Sequence, residues 1–465
     1  MSVPHSPIEN QPHIAVVGGG ISGLMSARTL SQRGATVTLF EASEHLGGQI
    51  QGVLLEGHQV DVGAEAIHLS GPGMQALVDE LGLSKSLVRS IPGTSWLWGG
   101  KTLHALPAGV GPSGPRRLRP VLESRVMNVT GLLRAALEPI MRHQKLDGDT
   151  SVGTFIEKRF GRQVVDRLVD PILGSLHAGD VYTLSLRATT PELAPIADTG
   201  RSIMVGKPGQ KKTPPMSFAS WPDGLTTLVD HLLDDARVSV KTLSPVTSIS
   251  KNAFGKYLLE LPGPDSQVFD GIVLAVPARI AADLLQSLSG KAADLLRKIR
   301  YASVATTILA FPRNELEKVK ALKGNGVLVP SSKNRLLKAS TFLSTKWPHF
   351  EKSKYYFLRI SSGRANENLL ESLDDAALLT RLLSDLEEIV GISQKPSFSY
   401  THRWPLALPQ LEVGHLDLIK DVREVLEAHP GIALAGASYD GIGISACLRS
   451  GERAATLCLE TVKSK

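Results

Sequence analysis

The segment that most constrains this chain is residues 14–41, which predicts a strand, a tight glycine turn, a helix and a second strand. Residues 14–17 form a short β-rich run, and residues 24–33 carry apolar side chains at helical spacing. The run Thr36–Phe40 then reads as a strand that ends at Glu41. Because a strand–helix–strand crossover favours parallel strands, the segment predicts an α/β fold built on a parallel sheet.

The glycine turn has the spacing of a dinucleotide-binding fingerprint. Gly18 allows the sharp turn, Gly20 lets the backbone approach a pyrophosphate, and Gly23 lets the helix pack closely on the strand. The helix N-terminus would present N–H groups to the phosphates, and Glu41 stands where a ribose diol is bound. The predicted contacts here are Gly18, Gly20, Ile21, Ser22, Gly23, Glu41 and Ala42.

NAD and FAD both use this unit, and two further glycine-rich runs favour FAD. Residues 41–49, which include Gly47, Gly48 and Gln49, resemble the extended dinucleotide motif of the amine oxidase and phytoene desaturase flavoproteins. In that superfamily the glycine pair lies near the flavin end. A second run, from Gly436 to Gly443 and Ile444, predicts a strand end before a helix whose N–H groups would face the charge that develops on a reduced flavin.

Composition and charge narrow the function classes. The net charge of +6 is a small excess over 465 residues, and no nucleic-acid-binding motif accompanies the basic residues, so we expect no nucleic-acid partner. Both cysteines, Cys447 and Cys458, fall in one helical segment, which indicates a reducing compartment and no cysteine-bound metal. We find no signal peptide and no apolar run that could span a bilayer, so we expect a cytoplasmic protein whose membrane contact would be peripheral.

Several segments resemble the oxygen-dependent porphyrinogen oxidases of haem synthesis, in the order in which that family carries them. They are residues 61–66, 106–109, 151–155, 167–180, 184–188, 404–410 and 436–447. The Gly-Ala-Glu-Ala sequence at 63–66 resembles the Gram-positive, especially actinobacterial, coproporphyrinogen III oxidases, whereas protoporphyrinogen IX oxidases usually carry a Gly-Pro-Asn or Gly-Pro-Asp type sequence there. The resemblance therefore covers almost the whole chain.

The resemblance implies an α/β fold: a Rossmann-like FAD-binding domain with an inserted helical domain and an α+β substrate domain. We expect the FAD-binding domain at 12–106, 214–278 and 401–462, the helical insertion at 107–213 and the substrate domain at 279–400. Strand 271–276 is apolar throughout, as in a strand covered on both faces. Further cofactor contacts that the family implies are Gly63, Ala64, Glu65, Val246, against the adenine, and Trp404.

The implied reaction is hydride transfer from a porphyrinogen meso carbon to flavin N5, with loss of pyrrole protons. Molecular oxygen then reoxidises the flavin and yields hydrogen peroxide. The flavin carries the redox chemistry, and we assign no catalytic side chain and no metal. Because the substrate bears propionates, the basic residues Arg116, Arg117 and Lys207 are candidate carboxylate contacts, although such runs are most often solvated surface. The next enzyme of the haem pathway is an expected partner.

Three alternatives stay open at the level of the sequence. The first is a protoporphyrinogen IX oxidase. The second is an amine oxidase or carotenoid desaturase on the same scaffold, although amine oxidases commonly enclose the amine in aromatic residues and this chain is only 5% aromatic. The third is a binding protein that keeps the fold without redox activity, against which both glycine-rich ends of the cofactor site argue.

Overall fold

The computed structural model describes residues 11–205, 218–263, 265–367 and 369–464. The strands are β1 His13–Val17, β2 Thr36–Phe40, β3 Gly52–Leu55, β4 His58–Asp61, β5 Ile67–His68, β6 Val88–Arg89, β7 Ser95–Trp98, β8 Leu103–Ala105, β9 Val110–Gly111, β10 Gly114–Pro115, β11 Phe218–Ser220, β12 Val238–Lys241, β13 Ser248–Lys251, β14 Tyr257–Glu260, β15 Ser266–Phe269, β16 Gly271–Leu274, β17 Tyr301–Pro312, β18 Gly326–Leu328, β19 Leu337–Phe342, β20 Tyr355–Ser362, β21 Phe398–Pro409 and β22 Ile432–Leu434.

The α-helices are α1 Ile21–Gln32, α2 Met74–Glu80, α3 Arg119–Ser124, α4 Val129–Ala136, α5 Val152–Phe160, α6 Arg162–Val164, α7 Ser175–His177, α8 Leu186–Thr189, α9 Ala194–Thr199, α10 Thr226–His231, α11 Ala278–Leu285, α12 Gly290–Leu296, α13 Leu343–Lys346, α14 Asp375–Val390, α15 His415–Leu426, α16 Ala437–Asp440 and α17 Ile444–Lys463. A π-helix runs from Val165 to Gly174, and short 3₁₀ turns stand at Leu83–Lys85, Pro191–Leu193, Arg313–Glu315, Lys320–Lys323, Ser331–Lys333 and Pro348–Phe350.

A five-stranded parallel sheet, ordered β12-β2-β1-β16-β22, holds the first glycine turn. Side chains of β1 alternate between its faces: Ile14 and Val16 pack with α1 and α17, whereas Ala15 and Val17 pack with α11 and α15. Both faces are therefore buried, which explains why these short strands are almost wholly apolar. The carboxyl ends of all five strands lie at the same edge of the sheet. The strand order changes direction beside β1, and open α/β sheets bind their ligands at such a position.

A seven-stranded sheet, ordered β21-β17-β20-β19-β18-β7-β8, stands beside the first. One face packs on α14 through apolar side chains such as Leu309, Leu358 and Leu382. Cross-strand pairs on the opposite face include Thr306 with His402 and Val304 with Trp404. We call this opposite face the inner face, because its apolar part packs against the segment around Val62, next to the parallel sheet.

Helices α3 to α6, α8, α9 and the π-helix contribute to a separate apolar core. The predicted α/β fold class is confirmed. The division into three domains stays a prediction, but strand pairing places residues 95–105 and 398–409 in the seven-stranded sheet, not with the parallel sheet to which 12–106 and 401–462 were assigned. Within the described ranges, no helix is both long and apolar enough to cross a membrane.

Candidate cofactor and active site

The three glycines of the first turn are glycine for different structural reasons. Gly18 has φ +104°, and a Cβ on it would lie 2.5 Å from the Ala275 carbonyl oxygen; a Cβ on Gly23 would lie 1.8 Å from the Gly18 carbonyl oxygen. Gly20 differs, because its φ is −69° and a Cβ on it would meet nothing closer than the Gly48 Cα at 3.9 Å. Packing therefore requires Gly18 and Gly23, whereas the open space at Gly20 suits a ligand that approaches the backbone.

Glu41 lies directly beside this turn at the end of β2. Its carboxylate accepts a hydrogen bond from the Gly19 N–H at 2.7 Å and two from the backbone and hydroxyl of Ser43, both at 2.8 Å. These contacts hold the carboxylate at the carboxyl edge of the sheet, where the ribose was predicted. Ala42 follows as an exposed residue on the same rim.

The glycine pair at 47–48 closes over the turn. The Gly47 N–H donates to the Gly19 carbonyl at 2.8 Å, and Gly47 and Gly48 have φ values of +105° and +60°. Gly20 and Gly47 also form an isolated parallel bridge. The Gln49 side chain donates to the Ala407 carbonyl at 2.6 Å, so this segment connects the phosphate turn to strand β21.

Helix α17 brings the C-terminal glycine run to the same edge. The Ser22 hydroxyl donates to the Cys447 carbonyl and the Ser26 hydroxyl to the Gly451 carbonyl, each at 2.9 Å. Because residue numbers rise together along this contact, α1 and α17 run parallel and both N-termini point the same way. The backbone of Gly436 has φ +129°, which explains the glycine there.

As at Gly20, neither the backbone conformation nor the packing of the protein requires a glycine at position 443. Its φ is −78°, and a Cβ on it would meet no atom within 4 Å. No side chain caps α17, which begins at Ile444, or α1, which begins at Ile21. Two uncapped helix N-termini at one sheet edge therefore present free N–H groups, which fit the anionic groups of a dinucleotide.

Residues 63–65 connect this edge to the seven-stranded sheet. The Ala64 N–H donates to the Gln49 carbonyl at 3.0 Å, and the Gly63 carbonyl accepts from Arg359 Nη2 at 2.5 Å. A Cβ on Gly63 would lie 1.9 Å from the Gln49 carbonyl oxygen, so only glycine fits there. Trp404 covers the same corner, where its indole N–H donates to the Val62 carbonyl at 3.1 Å.

Glu65 is a buried acid held by basic neighbours. Its Oε1 accepts from Lys346 Nζ at 2.7 Å and from the Trp347 indole at 2.9 Å, and Oε2 lies 3.5 Å from Arg359 Nη1. Burial by itself would raise the pKa of Glu65, but the charges of Lys346 and Arg359 and the hydrogen bonds outweigh it and lower the pKa to about 2. Glu65 is therefore an ionised structural anchor between the two sheets.

The pKa of Asp61, at the end of β4, is shifted in the opposite direction to that of Glu65. Burial raises its pKa to about 7, the nearby charge of Glu65 adds to the rise, and the hydrogen bond from the Leu225 N–H and the charge of Arg359 oppose it. At a pH between these two pKa values, Glu65 is therefore ionised while Asp61 is protonated.

The remaining predicted contacts fall elsewhere. Val246 was expected within a strand, but β13 begins only at Ser248; Val246 lies in the preceding segment, which runs beside Glu41 through a hydrogen bond from the Ser244 N–H to the Glu41 carbonyl at 2.8 Å. Arg116 and Arg117 are exposed after β10, in the helical part of the chain. Lys207 lies outside the described residues.

Three residues around this corner were not predicted as site residues: Asp61, Lys346 and Arg359. Arg359 gave one usable signal, since it is a basic residue within the otherwise apolar strand run at 355–360. Such a charge must find a partner when the strand is buried. Its partners, Gly63 and Glu65, are almost 300 positions away, so sequence patterns could not identify them.

Comparisons with known proteins agree with this geometry. The family model described as "Flavin containing amine oxidoreductase" matches residues 21–459. A coproporphyrinogen III oxidase of Bacillus subtilis is 30% identical, covering 96% of this chain and 97% of that protein. One from Mycobacterium tuberculosis is 32% identical, covering 97% and 98%.

A solved structure from Exiguobacterium sp. 255-15, provisionally named a protoporphyrinogen oxidase, superposes with a TM-score of 0.86 at 26% identity, covering 98% of this chain and 99% of that chain. The open space at Gly20 and Gly443, the two uncapped helix ends and Glu41 all fit FAD as the cofactor. The chain therefore belongs to the flavin-containing amine oxidoreductase family, as an FAD-dependent oxidase similar over its whole length to coproporphyrinogen III oxidases.

Proposed function

We propose that this chain oxidises coproporphyrinogen III to coproporphyrin III in haem synthesis, with FAD as the redox group and oxygen as the electron acceptor. The observation that carries the proposal is the full-length similarity to coproporphyrinogen III oxidases of Bacillus subtilis and Mycobacterium tuberculosis. A supporting observation is the Gly-Ala-Glu-Ala sequence at 63–66 that resembles their branch.

The chain's own residues would bind and orient the cofactor. The N-terminus of α1 would hold the pyrophosphate, Glu41 the ribose, and the N–H groups after Gly443 the negative charge that collects at the flavin's pyrimidine end on reduction. When bound, FAD would supply the two-electron oxidation of the porphyrinogen and the reduction of oxygen to hydrogen peroxide. The segment 63–65, fixed by Arg359 and Lys346, would form the border between the cofactor and the substrate.

A small apolar cluster, which we call the apolar wall, lies beside this border. Ala178, Ala302 and Val304 are buried in it, and Trp404 and Leu408 pack against it. Ala178 comes from the helical part of the chain and Val304 from the inner face, so the cluster lies where the helical part meets the sheet.

The test compares oxygen consumption by the purified holoprotein with coproporphyrinogen III and with protoporphyrinogen IX. We expect a higher kcat/KM for coproporphyrinogen III and three hydrogen peroxide molecules per coproporphyrin formed, because full conjugation removes six electrons and each flavin cycle removes two. A clear preference for protoporphyrinogen IX would overturn the proposal and favour the activity for which the Exiguobacterium protein is provisionally named. Primary amines serve as a control class, for which we expect no turnover.

A further inference from the structure

Two buried basic side chains and a half-buried one lie together near residues 63–65 and Trp404, which we call the flavin-end corner. Lys338 lies in β19, Arg359 in β20 and Arg364 just after β20. Lys338 is 2% exposed and Arg364 is 6% exposed. Lys338 occupies a β-bulge, where the register of β19 against β20 shifts between Leu337 and Ala339. We call these three residues the basic trio.

The trio has hydrogen-bond donors that the described part of the chain does not satisfy. Arg359 Nε and Arg364 Nη1 are buried without an acceptor. Lys338 is 2% exposed, and its ammonium forms no ion pair with a described residue. Two other buried arginines have hydrogen-bond acceptors. Arg28 donates to the Leu232 carbonyl and to the Glu80 carboxylate, and Arg159 donates to the Arg201 carbonyl. Buried donors without acceptors are costly, so an accumulation of them at one place points to a missing anion.

Nearby carboxylates balance the charge of the trio only in part, since Glu65 pairs with Arg359, and Asp170 and Glu367 act on Arg364. Glu65 is shared among Lys346, Trp347 and Arg359. Asp170 accepts both hydrogen bonds of Ser331, at 2.7 and 2.9 Å, and Glu367 reaches Arg364 only at 4.0 Å.

The protonation of Lys338 agrees with an unbalanced positive field. Burial, and then the charges of Arg364 and Arg359, lower the pKa of Lys338 to about 7, and Glu367 opposes this only in part. A bound carboxylate would restore the charged ammonium, because an anion at this position favours the protonated form.

The trio also borders the apolar wall. Arg359 binds the Gly63 carbonyl at the flavin-end corner. Next to Arg364, the Ala365 N–H donates to the Ala178 carbonyl at 2.6 Å, and Ala365 packs against the cluster of Ala178 and Val304. A carboxylate bound by the trio would therefore lie next to apolar side chains.

We infer that Lys338, together with Arg359 and Arg364, forms a subsite that binds a carboxylate of the propionate-bearing tetrapyrrole. The inference rests on the proposed function and identifies how the substrate is oriented. Lys338 is the residue whose ammonium is free, since Arg359 also holds Gly63 and Arg364 also donates to the Val329 carbonyl at 2.9 Å. Arg116 and Arg117, the carboxylate contacts suggested by the sequence, are not needed for this subsite.

The test measures binding of coproporphyrin III and of its tetramethyl ester to the holoprotein, by porphyrin fluorescence, in the wild type and in Lys338→Met, Lys338→Arg and Lys298→Met. Lys298 is an exposed lysine and serves as the matched control. Lys338→Met should weaken binding of the free acid about tenfold, the scale of one lost charged hydrogen bond. It should leave the affinity for the ester and the flavin content unchanged, and Lys338→Arg should retain most of the acid affinity.

The outcomes separate the two proposals. Equal weakening of acid and ester in Lys338→Met, or no weakening of either, overturns the subsite, because a purely structural lysine would not discriminate between them. Wild-type turnover of coproporphyrinogen III with unaltered acid affinity in Lys338→Met overturns the subsite alone. A wild-type holoprotein that neither binds coproporphyrin III nor oxidises coproporphyrinogen III overturns both.

Discussion

Replacing Asp61 with asparagine should remove a loss of stability that the wild-type protein shows as the pH rises from 5 to 7. Burial keeps the proton on Asp61 up to a pKa of about 7, whereas the ordinary value is 3.8. Asparagine keeps the oxygen that accepts the 3.0 Å hydrogen bond from the Leu225 N–H but cannot ionise. The substitution therefore isolates the cost of a buried negative charge near Glu65.

The sign and size follow from the two pKa values. Because the folded-state pKa is raised, the stabilising contribution of Asp61 is fully present at low pH and is lost as the pH rises from the unfolded value of 3.8 toward 7. Two pH units correspond to about 2.7 kcal/mol, and half-ionisation at the folded pKa reduces this to about 2 kcal/mol. We thus expect the free energy of unfolding of Asp61→Asn to gain about 2 kcal/mol relative to wild type between pH 5 and pH 7.

Urea unfolding in saturating FAD, followed by tryptophan fluorescence at half-unit pH intervals, measures this difference. Titrations of the histidines and surface carboxylates are common to both proteins and cancel in the difference. Asp147→Asn, at an exposed position, is the matched control and should give no such slope. Parallel stability curves for wild type and Asp61→Asn from pH 5 to 7 would refute the reasoning.

Three further predictions concern the cofactor turn and the basic trio. Glu41→Gln should weaken FAD binding by about 1 to 3 kcal/mol, measured by equilibrium dialysis, and unaltered affinity would contradict the ribose contact. Gly20→Val should give a folded protein without flavin, and full flavin occupancy in this variant would disprove the cofactor placement. Gly23→Ala should instead lower the melting temperature of the apoprotein, because its Cβ would collide with the Gly18 carbonyl. Lys338→Met should be more stable than wild type at pH 7. Because the pKa of Lys338 is lowered from 10.5 to about 7, the cost of burying its charge falls as the pH rises, and the stability difference should shrink by about 2 kcal/mol between pH 7 and 9 in urea titrations. A stability difference that does not change with pH would contradict this prediction.

Local patterns predicted the local structure well. Thr36–Phe40 matches its predicted bounds, and the helix after the glycine turn begins three residues earlier than its apolar spacing indicated. The glycines, Glu41 and the C-terminal run could be predicted as cofactor contacts because each motif spans only a few residues of sequence. The cofactor and the family were predictable for the same reason, and the comparisons confirm both.

Apart from the strand expected around Val246, what the sequence did not predict is long-range. Residues 401–409 look like the approach to the final strand, yet they pair with β17, about a hundred positions earlier. Lys338 lies at a register shift of β19 and is in contact with helix α7, since its carbonyl accepts from the Val329 N–H and, at 3.5 Å, from the Ser175 hydroxyl. Arg116 and Arg117 stay predicted carboxylate contacts, whereas the burial of Lys338 is set by tertiary packing, which no spacing rule encodes.

The parallel contact of α1 with α17 has a consequence for biogenesis. The hydrogen bond between Ser22 and Cys447 joins positions 425 residues apart, and the Gly451 backbone approaches Ser22 so closely that a Cβ would lie 2.2 Å from its carbonyl oxygen. Helix α1 is therefore synthesised long before α17, with which it forms the predicted cofactor site. A nascent chain stopped before residue 443 would have the phosphate turn but only half a cofactor site, so flavin capture would report that synthesis has passed this point.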